Sequence, residues 1–122
     1  YSGYSNEAYA TTPFYAPSNL VVTTLSFDQL KLTWQENSQV ESDLHIERKI
    51  SGGGYAEITT VPANTTSHED MGLERETTYY YRLRAHNHAQ DVYSGYSNEA
   101  GAQTALYFQI RYNPYGPLVD LY

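Results

Sequence analysis

Tyr79-Tyr80-Tyr81-Arg82-Leu83-Arg84-Ala85 alternates strictly, with Tyr79, Tyr81, Leu83 and Ala85 on one side and Tyr80, Arg82 and Arg84 on the other. Side chains of an extended strand point to opposite faces with a period of two, so this stretch predicts a strand with one face in a core and one in water. Upstream, Gln29-Leu30-Lys31-Leu32-Thr33-Trp34 repeats the pattern, with Leu30, Leu32 and Trp34 on one face. Leu44-His45-Ile46-Glu47-Arg48 does so again, with Leu44, Ile46 and Arg48 sharing a face. Ser51-Gly52-Gly53-Gly54 reads as a tight turn, because glycine adopts positive φ at little cost.

Asn19–Thr24 after Pro17, Tyr55–Val61 before Pro62, and Thr66–Glu69 are three further expected strands, and Tyr96–Thr104 is the last. Helical periodicity is weak throughout. Short alternating strands with regularly spaced turns predict an all-β sandwich.

The segments "PSNLVVTTLSFDQLKLTW", "HIERKISGGGYAEI", "GLERETTYYYRLRAHN" and "YSNEA", in that order over about Ala16 to Thr104, strongly resemble a fibronectin type III domain. The wording is most similar to copies in secreted bacterial and archaeal proteins. The resemblance implies a seven-stranded immunoglobulin-like β-sandwich. It places Trp34 at the core centre and assigns Leu73 and Tyr79 to a tyrosine corner, in which the Tyr79 hydroxyl bonds a backbone group a few residues upstream. Tyr81 and Leu83 complete the expected structural core. Glu74-Arg75-Glu76 stands where the family commonly has a Pro-Gly turn, so a less constrained loop is expected there.

Composition excludes several classes. Fourteen acidic against seven basic residues give a net charge of −7. Nucleic-acid binders usually present a basic face, so neither nucleic acid nor an anionic membrane surface is an expected partner. No run of eighteen apolar residues predicts membrane insertion. No positively charged start leads into an apolar stretch, so no signal peptide is read in these residues. With no cysteine there is no disulfide framework and no thiolate chemistry.

His45, His68, His86 and His88 raise a metal hypothesis. His86 and His88 share a strand face, but no carboxylate lies at a matching local spacing, and two ligands do not close a site. Solvent-facing histidines and no metal or other cofactor are therefore expected. Glu36, Glu41 and Asp43 share a loop without the oxygen spacing or glycine of a calcium loop, so a solvated acidic loop is expected. Glu47, Glu57 and Glu69 are read as solvent-face residues, because a small sandwich offers no cleft for paired-carboxylate hydrolysis. No G-x-S-x-G and no phosphate-cradling glycine loop is present, and no catalytic residue is assigned. Asn64-Thr65-Thr66 is a candidate glycosylation sequon on a turn.

The flanks carry the other clue. YSGYSNEA at Tyr1–Ala8 recurs letter for letter at Tyr93–Ala100, one domain length away. Residues 1–15 therefore read as a strand copy, from a preceding repeat or donated to a neighbour, plus a linker. Residues 16–104 form the domain. Residues 105–122 form an extended segment, with alternating Leu106, Phe108 and Ile110, a turn at Asn113-Pro114-Tyr115-Gly116, and a candidate hairpin. The N-terminal candidate assembly contacts are Tyr1, Tyr4, Tyr9, Phe14 and Tyr15. The C-terminal ones are Tyr107, Phe108, Tyr112, Tyr115 and Tyr122. Because the two copies share register and pattern, either is expected to complete the sandwich, which permits strand exchange between subunits.

The expected function is a non-catalytic extracellular or cell-surface repeat module whose partners are protein, either copies of itself or neighbouring repeats. Two other functions fit the same residues. One is an adhesion or engineered binding scaffold using Glu36–Asp43, Gly52–Gly54 and His86–Tyr93 as loops, with Glu36, Glu41, Asp43, His86, His88 and Tyr93 as contacts. The other is a spacer in a secreted polysaccharide-degrading enzyme.

Overall fold

Two antiparallel sheets face each other in the computed structural model, which describes residues 14–38 and 40–106. The strands are β1 (Ser18–Thr24), β2 (Leu30–Gln35), β3 (Asp43–Ile50), β4 (Ala56–Pro62), β5 (Ser67–Asp70), β6 (Thr78–Asn87), β7 (Val92–Tyr93) and β8 (Ala100–Gln103). The smaller sheet has the order β1-β2-β5. The larger runs β4-β3-β6, with β7 and β8 both paired to β6. The expected N-terminal strand copy and C-terminal hairpin lie outside the described residues. So do Tyr1, Tyr4, Tyr9, Tyr107, Phe108, Tyr112, Tyr115 and Tyr122.

The alternation read from the sequence places the core. Leu20, Leu30, Leu32 and Trp34 come from the smaller sheet, and Leu44, Ile46, Tyr79, Tyr81, Leu83 and Ala85 from the larger. Leu73 closes one end. Each large apolar side chain fully withdrawn from water contributes about 1.5–3 kcal/mol, which explains why the strand faces orient as they do.

The last strand differs from expectation. Of the expected Tyr96–Thr104 only Ala100–Gln103 (β8) is strand; residues 94–99 are irregular, and the two-residue β7 precedes them. Both β7 and β8 line the same edge of β6, and β7 is the one strand beyond the expected seven.

The tyrosine corner forms as expected. The Glu74 N–H donates to the Tyr79 hydroxyl at 2.9 Å while the Tyr79 ring is buried. The Glu74–Glu76 loop, expected to be less constrained, is tied down by other means. The Thr104 hydroxyl donates to the Glu74 carbonyl at 2.6 Å and accepts from the Thr77 N–H at 3.0 Å, and the Glu76 N–H donates to the Ala105 carbonyl.

A polar bridge joins the sheets inside the sandwich. Asp70 ends β5 and is buried. Its Oδ2 accepts from the Tyr81 hydroxyl at 2.6 Å and from Arg48 Nη1 at 2.8 Å, both groups belonging to the opposite sheet. Burial and the bond to Asp70 push the Tyr81 hydroxyl well above the usual phenol range. Arg48 does share the inner face with Leu44 and Ile46, and Asp70 is the partner that makes this tolerable.

Candidate functional site

Every side chain from Tyr93 to Asn98 except that of Gly95 has a partner, and together they close the sandwich. The Ser94 N–H donates to the Ala85 carbonyl and the Ala85 N–H donates to Ser94 Oγ at 2.9 Å. Ser97 repeats the arrangement on Leu83, its Oγ accepting the Leu83 N–H at 3.1 Å. At both positions a hydroxyl stands in for the carbonyl that a regular ladder would supply, so the irregular stretch leaves no orphan on β6.

Asn98 reaches the other sheet. Its Oδ1 accepts the Leu20 N–H at 2.9 Å and its Nδ2 donates to the Leu20 carbonyl at 3.1 Å. The β1–β2 register shifts between Ser18 and Val21, where Leu20 has no ladder partner on β2, and Asn98 satisfies both of its backbone groups. The two tyrosines cover the outer face of the larger sheet. Arg84 lies 3.8 Å from the Tyr93 ring centroid, and Arg82 lies 3.8 Å from that of Tyr96 and 4.2 Å from that of Tyr55. Glu47 accepts from Arg82 Nε and from the Tyr96 hydroxyl. Glu47 is thus buried under this ladder, not solvent-facing as expected. Burial and the nearby negative charge of Glu99 push the Tyr55 hydroxyl up to about 12.

Ser97→Ala removes the only acceptor shown for a buried N–H. It should cost about 1–2 kcal/mol, read as a lower urea midpoint with unchanged slope.

Of the candidate recognition loops, only some converge. Asn87 Nδ2 donates to the Val40 carbonyl and the His88 N–H donates to Ser42 Oγ, so residues 36–43 and 86–91 share one end. Glu36, Glu41, Asp43, His86, His88 and Tyr93 all lie there. Gly52–Gly54 follows the far end of β3, roughly 23 Å away at the rise of an extended strand, and takes no part. Asn64 is exposed in a turn at the convergent end with φ 71°, and its N–H donates to Glu36 Oε2.

The acidic loop is not fully solvated as expected. Glu41 is buried, and its oxygens have no donor among the described residues except a protonated Glu36. Burial, then the hydrogen bond and charge of Glu41, raise Glu36 from 4.5 to about 7, with the Asn64 N–H pulling the other way. The folded state therefore binds this proton more tightly than the unfolded chain. The stabilisation is complete below about pH 4.5 and is lost as pH rises through about 7. Stability should fall between pH 5 and 8 by about 1 kcal/mol after discounting for solvent screening. Glu36→Gln should flatten that slope in pH-dependent thermal melts.

Three imidazoles gather around Asp43 at the same end. His45 Nε2 lies 3.1 Å and His86 Nδ1 3.7 Å from Asp43 Oδ1, while His88 Nε2 lies 3.1 Å from Oδ2. His45 Nδ1 meets Glu57 Oε1 at 2.8 Å, and His86 Nε2 meets Asp91 Oδ1 at 3.0 Å. Tyr93 stacks on His86 at 4.2 Å between centroids. His45 and His86 are buried, against the expectation of solvent-facing histidines, whereas His88 is open to water. The carboxylate missing at local spacing comes from another strand, because Asp43 and His86 are register partners in the β3–β6 ladder.

The terminal candidates divide. Phe14 is half-buried against the domain's own core, and Tyr15 is exposed. No helix among the described residues is long and apolar enough to cross a membrane.

Two facing antiparallel sheets with a buried tryptophan and a tyrosine corner define an immunoglobulin-like β-sandwich. The sequence model of the fibronectin type III domain matches residues 15–100, and the chain belongs to that family. Domains of this family are in general non-catalytic modules, common in extracellular and surface proteins. Among solved structures, a fibronectin type III-like protein from Clostridium thermocellum is similar at 28% identity and TM-score 0.62, over 75% of this chain and 93% of that one. The FN1–FN3 domains of chicken CNTN1 match at 18% identity and TM-score 0.68, over 84% of this chain and 35% of that one. A β-1,2-glucanase from Parabacteroides distasonis matches at 17% identity and TM-score 0.61, over 79% of this chain and 14% of its own. No curated protein sequence matches the chain.

Proposed function

We propose that this domain is a non-catalytic extracellular repeat module, and that Tyr1–Thr12 is the last strand of a preceding type III repeat rather than a strand donated between subunits. The observation that carries this is the fit at Gly101. The two copies remain alike beyond their shared letters, since Ala10 and Thr12 match Ala102 and Thr104. Ser2, Ser5, Asn6 and Thr12 therefore stand where Ser94, Ser97, Asn98 and Thr104 make the closing bonds of this domain. That pattern is what the end of another type III repeat needs.

The copies differ at Tyr9, which aligns with Gly101. A Cβ on Gly101 would sit 2.6 Å from Tyr80 Cδ1 and 2.7 Å from the Tyr79 carbonyl oxygen. A tyrosine entering that slot collides with backbone, which cannot swing aside as a side-chain tip can. The shared register alone, which suggested that either copy completes the sandwich, overlooks this collision.

Light scattering on the whole chain tests the proposal. Both the whole chain and a chain lacking residues 1–13 should be monomers at high micromolar concentration. Tyr9→Gly, which removes the collision, should increase self-association. Polymers formed by the wild-type chain and abolished by the deletion would establish strand donation instead.

A further inference from the structure

We infer that Asp43, His86 and His88 form a binding site for a first-row divalent transition-metal ion such as zinc. Their donor atoms all lie within 4.8 Å of one another. His86 Nδ1 lies 3.7 Å from Asp43 Oδ1, and His88 Nε2 lies 3.1 Å from Asp43 Oδ2. Donors on a tetrahedral zinc with bonds of about 2.0–2.1 Å stand about 3.3–3.4 Å apart. The side chains are therefore already spaced to close on an ion with small adjustments.

A second, independent observation comes from His86. Its side chain is only 7% exposed, and Nδ1 is buried without a hydrogen-bond partner among the described residues. Its other nitrogen, Nε2, meets Asp91 Oδ1 at 3.0 Å. A carboxylate accepts only, so this bond holds the proton on Nε2 and turns the Nδ1 lone pair toward Asp43. A lone pair facing a carboxylate across 3.7 Å is two acceptors without a donor, and a cation between them satisfies both. The Asp91–His86 pair is the carboxylate–histidine arrangement that orients metal-bound imidazoles and raises their basicity.

The surroundings agree. His45 Nε2 meets the Asp43 oxygen nearer His86, and Glu57 holds the far side of the His45 ring, so Asp43 is fixed in orientation. Tyr93, stacked on His86 and itself covered by Arg84, walls one side. His88, with 61% of its side chain exposed, leaves an entry path and a fourth position for water. Two imidazoles and one carboxylate suit zinc, copper or nickel better than calcium or magnesium, which prefer all-oxygen sets. The site stands apart from the terminal segments and does not depend on how they are used.

The test is calorimetric titration of the whole chain with zinc chloride near neutral pH, with thermal melts in parallel. One site of micromolar affinity or tighter is expected. At about 100-fold excess over the dissociation constant, the melting temperature should rise by roughly 5 °C or more. His88→Ala, a substitution at an exposed position, should weaken binding at least ten-fold. Asp91→Asn should weaken it about ten-fold through the orientation of His86. His68→Ala, remote from the cluster, should leave affinity unchanged. Absence of heat and of any melting shift at about 1 mM zinc, or an equal shift in His88→Ala, overturns the site.

Discussion

Asp70→Ala should destabilise the domain by about 3 kcal/mol, the low end of what breaking a buried ion pair costs. The substitution removes little apolar contact. Its cost arises because Arg48 and the Tyr81 hydroxyl both lose their acceptor inside the sandwich. Arg48 keeps 30% of its side chain exposed and can partly recover hydration, which holds the figure at the lower bound. Tyr81 is fully buried and cannot recover it. Equilibrium unfolding in urea should show the midpoint falling by roughly 1–3 M, given slopes of about 1–3 kcal/mol/M. Tyr81→Phe should cost less, about 1–2 kcal/mol. The double variant should be clearly less destabilised than the sum, because the two residues are partners in one buried hydrogen bond. Additive losses would mean that Asp70 and Tyr81 act independently and that the bridge between sheets is not a unit.

Gly101→Ala is expected to cost about 2 kcal/mol, and Gly101→Tyr more. Gly101 pairs with Tyr80 in the β6–β8 ladder, and both nearest obstacles to a Cβ belong to β6. One is the Tyr80 ring, which can rotate if it gives up its place near Lys49. The other is the Tyr79 carbonyl, which cannot move without shifting the tyrosine corner. Relief therefore means lifting β8 off β6, and faster amide exchange at Ala100 and Ala102 should accompany the lower urea midpoint. Unchanged stability in Gly101→Tyr would show that the slot tolerates a side chain. The reason for preferring a preceding repeat over strand donation would then disappear.

Much of the fold was legible because sandwich strands carry their burial pattern locally. Leu30, Leu32 and Trp34, and Tyr79, Tyr81, Leu83 and Ala85, are buried where alternation placed them. The irregular run over residues 96–99 was not legible, since Ser97 looks like an ordinary strand residue until its hydroxyl is seen on the Leu83 amide. The burial of Glu47 was hidden for a similar reason. Its alternation correctly puts it on the outer face, but the arginine and tyrosine cover on that face comes from β6 and the residues after β7.

The sequence by itself determined which faces of the strands turn inward, where the tryptophan and tyrosine corner sit, and that the closing strand occurs twice. These are short-range properties, set by a period of two and by residue type. Only the tertiary structure decided that Asp43 meets His86 and His88, that Asp70 serves Arg48 and Tyr81, and that the Gly101 slot leaves no room for a side chain. Each of these depends on strands remote in sequence being brought side by side, at separations where a few tenths of an ångström distinguish a bond from a clash. No local pattern carries that information.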